Sequence, residues 1–158
     1  PWEDGKALLI NVPLNGDKAG ENTASGELSL AVITESIREA ADLPARLAAG
    51  AWLIDLRPLE RRQVDGHVPG AVVIDRLVLE WRLDPRSAYR LRPGPGLDDE
   101  VYLLCNEGYA SSLAARDLRE LGFSRAGDVI DGFAGWEAAG LPVVEGPPEA
   151  PLPDTSPR

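Results

Sequence analysis

Four short apolar runs punctuate the middle of the chain, and each one is bounded by turn residues. They are Ala51-Trp52-Leu53-Ile54-Asp55-Leu56, Ala71-Val72-Val73-Ile74-Asp75, Val101-Tyr102-Leu103-Leu104 and Asp128-Val129-Ile130. Runs this short and this continuous suit strands buried on both faces of a parallel sheet. Stretches with helical spacing lie between them. An Ala- and Leu-rich stretch covers Thr34 to Ala49, with Pro44 dividing it, Asp42 placed to cap its second half and Gly50 closing it. A turn or short helix carries Glu60, Arg61 and Arg62, and Arg76 to Leu83 reads as a helix. Leu113 to Leu121 ends at Gly122, and a last helix from Asp131 or Gly132 stops at Gly140 and Pro142. Residues 84–99, rich in Pro and Gly, form a long surface connection.

The ends of the chain look different. Ala7 to Val12 and Leu28 to Ile33 flank a polar Gly/Asn/Ser stretch, so residues 1–33 read as an extension that contains a hairpin. Residues 145–158 form a Pro-rich tail expected to be disordered. Residues 34–144 are left as the folded unit, and no internal repeat interrupts it. Strands alternating with helices predict an α/β domain with a mostly parallel sheet, whose ligands sit at the carboxyl ends of strands.

That rule singles out one place. The run ending at Leu104 delivers Cys105 to a polar turn, Asn106-Glu107-Gly108-Tyr109-Ala110-Ser111-Ser112, which empties into a helix. Strand, tight turn and helix start form an anion cradle, where N–H groups and the helix dipole favour negative charge. A thiol held there is a candidate nucleophile, whereas a lone Cys in an apolar setting is an inert small hydrophobe. Ser111 is placed either to cap the helix or to donate to a group above Cys105. Glu107 opposes a thiolate, so it either points outward or selects a cationic or protein substrate. Tyr109 either walls the site or covers the surface. His67, the only His, sits in Gly66-His67-Val68-Pro69-Gly70, where a structural hydrogen bond competes with a Cys–His dyad. Asp55 and Arg57 at a strand end are placed to hold loops, the Arg through its fork of donors.

Charge and cysteine content narrow the classes. A net charge of −10 over 158 residues argues against a nucleic-acid binder. Residues 57–92 go against that balance, with eight Arg facing five acids, a local +3 that is either a solvated surface or a lure for a small anion. A single Cys forms no internal disulfide, which suits a cytoplasmic setting. No apolar run approaches membrane-spanning length and no leader is visible, although a chain opening at Pro1 without any Met points to a cut or processed N-terminus. One His and one Cys cannot close a zinc shell, and neither a phosphate-binding loop nor a dinucleotide fingerprint follows a strand.

Four segments together resemble the rhodanese-like sulfurtransferase domains, over roughly residues 34–144. They are Ile54-Asp55-Leu56-Arg57, then Gly66-His67-Val68-Pro69-Gly70-Ala71, then the Cys105 loop, then Asp128-Val129 through Gly132 to Gly135-Trp136. The resemblance implies a three-layer sandwich with about five mostly parallel strands and helices on both faces. It implies that Cys105 carries a persulfide, with residues 106–110 and Ser111 supplying the surrounding donors, and that no cofactor is needed. The expected reaction moves a sulfane sulfur from thiosulfate or a persulfide to a thiol, cyanide or protein acceptor. The sequence departs from the family at Ala110, where Arg is frequent, at Asp131-Gly132, where Gly-Gly is usual, and in a segment between Arg57 and Gly66 that is about one residue longer than usual. Two other readings remain. One is a non-enzymatic interaction or sulfur-relay module. The other is a Cys-dependent phosphatase, which needs Arg six residues after the Cys, where this chain has Ser111.

Overall fold

The computed structural model describes residues 38–145, so the expected hairpin within residues 1–33 and residues 146–158 of the tail lie outside it. Four strands make one sheet: β1 Trp52–Asp55, β2 Val72–Val73, β3 Val101–Leu104 and β4 Ala126–Asp128. Their order is β2-β1-β3-β4 and every pairing is parallel. Asp55 lies opposite Leu104, so β1 and β3 end level with each other. Beyond β4, Arg38 takes the fifth position as a single bridge. Its N–H donates to the Asp128 carbonyl (3.1 Å), and its carbonyl accepts from Ile130 (3.0 Å).

Side chains alternate across this sheet, as the pleat requires. Ile54, Val101 and Leu103 face one layer, with Leu79, Leu83, Ala114, Ala115, Leu118 and Phe123. Leu53, Tyr102 and Leu104 face the other, with Leu43, Val68, Phe133 and Trp136. Two separate cores on two faces define the three-layer α/β sandwich. The helices are α1 Leu43–Ala48, α2 Leu59–Asp65, α3 Leu79–Leu83, α4 Tyr109–Leu121 and α5 Gly132–Ala138. Among the described residues no helix is long and apolar enough to cross a membrane.

Several boundaries differ from the sequence expectation. Pro44 opens α1 instead of splitting a longer helix, because its missing N–H costs nothing in a first turn. Asp42 precedes α1 but makes no side-chain cap, since it closes a 3₁₀ turn over Ala40–Asp42. The 76–83 helix is a 3₁₀ turn (Arg76–Val78) leading into α3. β4 begins two residues before the apolar signal: the buried strand is Ala126-Gly127-Asp128, and exposed Ile130 belongs to the turn into α5.

Candidate functional site

β3 is buried along its whole length and hands Cys105 to a three-residue turn, Asn106 to Gly108. Gly108, at φ +86°, reverses the chain into α4, which starts at Tyr109, four residues before the apolar pattern begins. Tyr109, Ala110 and Ser111, expected in the loop, are therefore the first turn of a 13-residue helix. Its first backbone bond runs from Ser112 N–H to the Gly108 carbonyl (3.3 Å). N–H groups in the first turn of a helix have no carbonyl four residues back within that helix, which gives a helix start its affinity for negative charge. Cys105 is only 8% exposed, and its Sγ lies 3.2 Å from Oγ of fully buried Ser111. Ser112, not Ser111, turns its hydroxyl onto the helix backbone, at the Tyr109 carbonyl (2.8 Å). Glu107 and Tyr109 are both exposed.

The loop is clamped from beneath by α5, a contact that the sequence did not foretell. Phe133 N–H donates to the Cys105 carbonyl (2.7 Å) and Ala134 N–H to that of Asn106 (3.0 Å). Gly132 makes this approach possible. A Cβ there would lie 2.3 Å from the Cys105 carbonyl oxygen, 2.8 Å from Gly108 N and 2.9 Å from Asn106 C. The available signal was the Asp131-Gly132 pair: both residues adopt positive φ (57° and 54°), which brings the chain around sharply before the helix.

Asp55 and Arg57 form a buried pair at the same end of the sheet. Nη2 of Arg57 lies 2.8 Å from Asp55 Oδ2, and Nε and the backbone N–H reach Oδ1 at 3.1 and 2.9 Å. Nη2 also donates to the Gly66 carbonyl (3.0 Å), fastening the Gly66–Gly70 loop, and the guanidinium stacks 3.7 Å over the Phe133 ring. Arg62 Nε donates to the Arg57 carbonyl (3.1 Å). Arg57 thus links the His67 loop to the helix that holds the Cys105 carbonyl. His67 exchanges backbone bonds with Val144 (2.8 and 2.9 Å), and among the described residues no hydrogen bond joins it to Cys105. Three buried polar atoms at this end of the sheet, Arg57 Nη1, Asn106 Oδ1 and His67 Nδ1, have no protein partner among the described residues.

Asp128, at the end of β4, has its carboxyl pushed up to about 6 by burial, against a smaller opposing pull from Arg119. Burial raises the Tyr102 phenol, and it lowers the Arg119 guanidinium. Among the described residues no three His, Cys, Asp or Glu side chains gather as a metal site.

The structure is thus a parallel three-layer α/β domain with one thiol at a strand end, beside a helix N-terminus. Residues 39–139 match the family model for the Rhodanese-like domain, and the chain belongs to that family. Thiosulfate sulfurtransferase GlpE of Actinobacillus pleuropneumoniae is 41% identical over 94 residues, covering 60% of this chain and 78% of that one. Among solved structures, the human single-domain sulfurtransferase TSTD1 superposes with a TM-score of 0.53 at 29% identity, over 61% of this chain and 90% of that one. RPA3614 of Rhodopseudomonas palustris, described as a protein of unknown function and possible tyrosine phosphatase, gives 0.61 at 26% identity, over 80% and 99%. The chain spans only 18 to 63% of the length of four other curated relatives.

Proposed function

We propose that this protein is a sulfurtransferase that carries sulfane sulfur on Cys105. The observation that carries the reading is the thiol's position: at the end of β3, 3.2 Å from the Ser111 hydroxyl and beside the N-terminal turn of α4. The Cys105 thiolate attacks the outer sulfur of a donor. An S–S bond forms to Cys105 while the donor's own bond to that sulfur breaks, and sulfite or a thiolate leaves with the electron pair. The terminal sulfur of the persulfide bears the negative charge, and the N–H cradle stabilises it as it would an oxyanion. An acceptor thiolate or cyanide then takes the sulfur, and the Cys105 thiolate departs. Asn106 to Ser111 line this cycle, while Asp55, Arg57 and His67 act one step away by fixing the loops around it. Ping-pong kinetics follow from the two half-reactions.

Similarity to GlpE and TSTD1 supports the assignment, as does Ser111, which fills the place where phosphoryl transfer needs an Arg fork. The solitary thiol and the net charge of −10 suit a cytoplasmic enzyme that acts on small molecules or proteins and not on nucleic acid. Incubation with thiosulfate, then with a low-molecular-weight persulfide, followed by intact-mass measurement, tests the reading. A gain of one sulfur atom that Cys105→Ser abolishes is expected. No adduct from either donor would leave the interaction module as the better reading. Cys105-dependent turnover of an aryl phosphate would revive the phosphatase.

A further inference from the structure

An exposed apolar face adjoins the mouth of the Cys105 site. Tyr109, Leu113 and Asp117 are spaced four apart and share one side of α4. Tyr109 and Leu113 are 58% and 62% exposed. Arg76 donates to Asp117 and, at 2.8 Å, to Glu80, which fastens the turn before α3 alongside that row. This segment presents Leu77 and Trp81, 90% and 68% exposed. The buried sides of the same elements, Leu79, Ala114 and Leu118, share one core, so the outward side chains sit on a rigid base. Tyr109 directly follows the Cys105 turn, and four large apolar groups exposed on two tethered elements are more than scattered surface hydrophobes require.

The charges around this face are one-sided. The charged residues on and beside these elements lean acidic: Asp75, Glu80, Glu107, Asp117, Glu120 and Asp131, against Arg76, Arg82 and Arg116, the last paired with Glu120 (3.0 Å). Arg76 is shared between two carboxylates, and Arg82 donates to the Tyr89 carbonyl. Glu107 and Asp131 are both exposed, and they lie on either side of Gly108, whose Cβ position is 3.2 Å from Asp131 N. A dianion such as thiosulfate approaches against this field, whereas a cation approaches with it.

We infer that the sulfur acceptor is a protein segment, apolar at its centre and bearing Lys or Arg at its edges, which seats on Leu77, Trp81, Tyr109 and Leu113 and presents a thiol to Cys105. This deepens the sulfur-transfer reading and rests on it. The acceptor thiolate attacks the outer persulfide sulfur, the new S–S bond forms on the acceptor, and the Cys105 thiolate leaves with the electron pair. Apolar contact supplies residence, and the acidic rim selects charge and register.

The test uses the full chain, loaded with sulfur and checked by mass before any acceptor is added. Three acceptors follow: free cysteine, the peptide Lys-Leu-Leu-Cys-Leu-Lys, and its analogue with Glu at both ends. Loss of sulfur from Cys105 is then timed. The Lys peptide should react roughly tenfold faster than the Glu peptide at low salt, with the gap closing at high salt. Trp81→Ser with Leu113→Ser should slow the Lys peptide about tenfold and leave loading and free cysteine unchanged. Glu107→Gln with Asp131→Asn should erase the preference between peptides. Equal rates for the two peptides, or a Lys-peptide rate untouched by the apolar substitutions, overturns the docking face while sulfur transfer stands. Failure to load sulfur at all overturns both, and is read before any peptide is present.

Discussion

Gly132→Ala is the sharpest probe of how the Cys105 loop is held. Two costs arise at that position. At φ +54° an L side chain enters the left-handed region, at about 1–2 kcal/mol. The new Cβ also meets backbone at 2.3, 2.8 and 2.9 Å, and no flexible side chain can swing aside. Overpacking of this kind costs about 1–3 kcal/mol. The sum, about 2–5 kcal/mol, leaves a domain of ordinary stability folded but displaced at the loop. Relief requires Cys105 and Asn106 to move off α5, breaking the bonds from Phe133 (2.7 Å) and Ala134 (3.0 Å). Gly140→Ala is the control, because φ is +66° there and nothing lies within 4 Å of its Cβ. It carries the conformational cost alone. Urea unfolding followed by tryptophan fluorescence compares the two variants, and persulfide loading of each reads the thiol. Gly132→Ala should unfold at lower urea than Gly140→Ala, by about 1–3 kcal/mol, and load sulfur more slowly. Equal midpoints with equal loading would refute the claim that close approach of α5 positions Cys105.

Other perturbations test the remaining parts. Arg57→Ala leaves Asp55 buried and unpaired, and should cost about 3–5 kcal/mol in urea unfolding, with partial recovery when Asp55→Asn is added; a loss below about 1 kcal/mol would count against the pair as the anchor of the His67 loop. Ser111→Ala removes one hydroxyl at the thiol, and should slow persulfide loading about fivefold without moving the unfolding midpoint by more than about 1 kcal/mol; an unchanged rate would assign Ser111 to packing only. Asp128 is harder to ionise folded than unfolded, with a carboxyl at about 6 against an ordinary 3.8. The stability it contributes is therefore present in full below about pH 4 and lost as pH rises through about 6, a swing of about 3 kcal/mol. Asp128→Asn should flatten that fall, so the difference in unfolding free energy between variant and wild type should change across this window; parallel profiles would contradict it.

The positions of β1 and β3 along the chain and the place of the thiol were legible because both strands are largely buried and so read as continuous apolar runs. β4 was misplaced because Ala126-Gly127-Asp128 has no such run: two of its three residues are small, and the third is a carboxylate that burial makes harder to ionise. The start of α4 was hidden because Tyr109 to Ser112 have neither apolar periodicity nor a capping side chain, and the turn is made by the backbone freedom of Gly108. The clamp by Phe133 and Ala134 is a contact between main chains 28 residues apart, Cys105 to Phe133 and Asn106 to Ala134. Side-chain patterning does not encode such contacts. Asp55 and Arg57 were legible as a pair, but the stack of Arg57 on Phe133 depends on tertiary approach. The hairpin expected within residues 1–33 falls outside the described residues.

The bridge between His67 and Val144 decides where a working fragment of this protein can be cut. The family match ends at residue 139, yet the chain beyond it is stitched back into the domain. Trp136 Nε1 donates to the Pro142 carbonyl (2.9 Å), and the Val143 side chain covers Gly66. Val144 then closes two main-chain bonds onto the loop that Arg57 secures. Cutting at 139 would strip partners from a buried segment that three contacts, through Arg57 and Phe133, join to Cys105, so an expression fragment has to run through residue 144 to keep the site's floor intact.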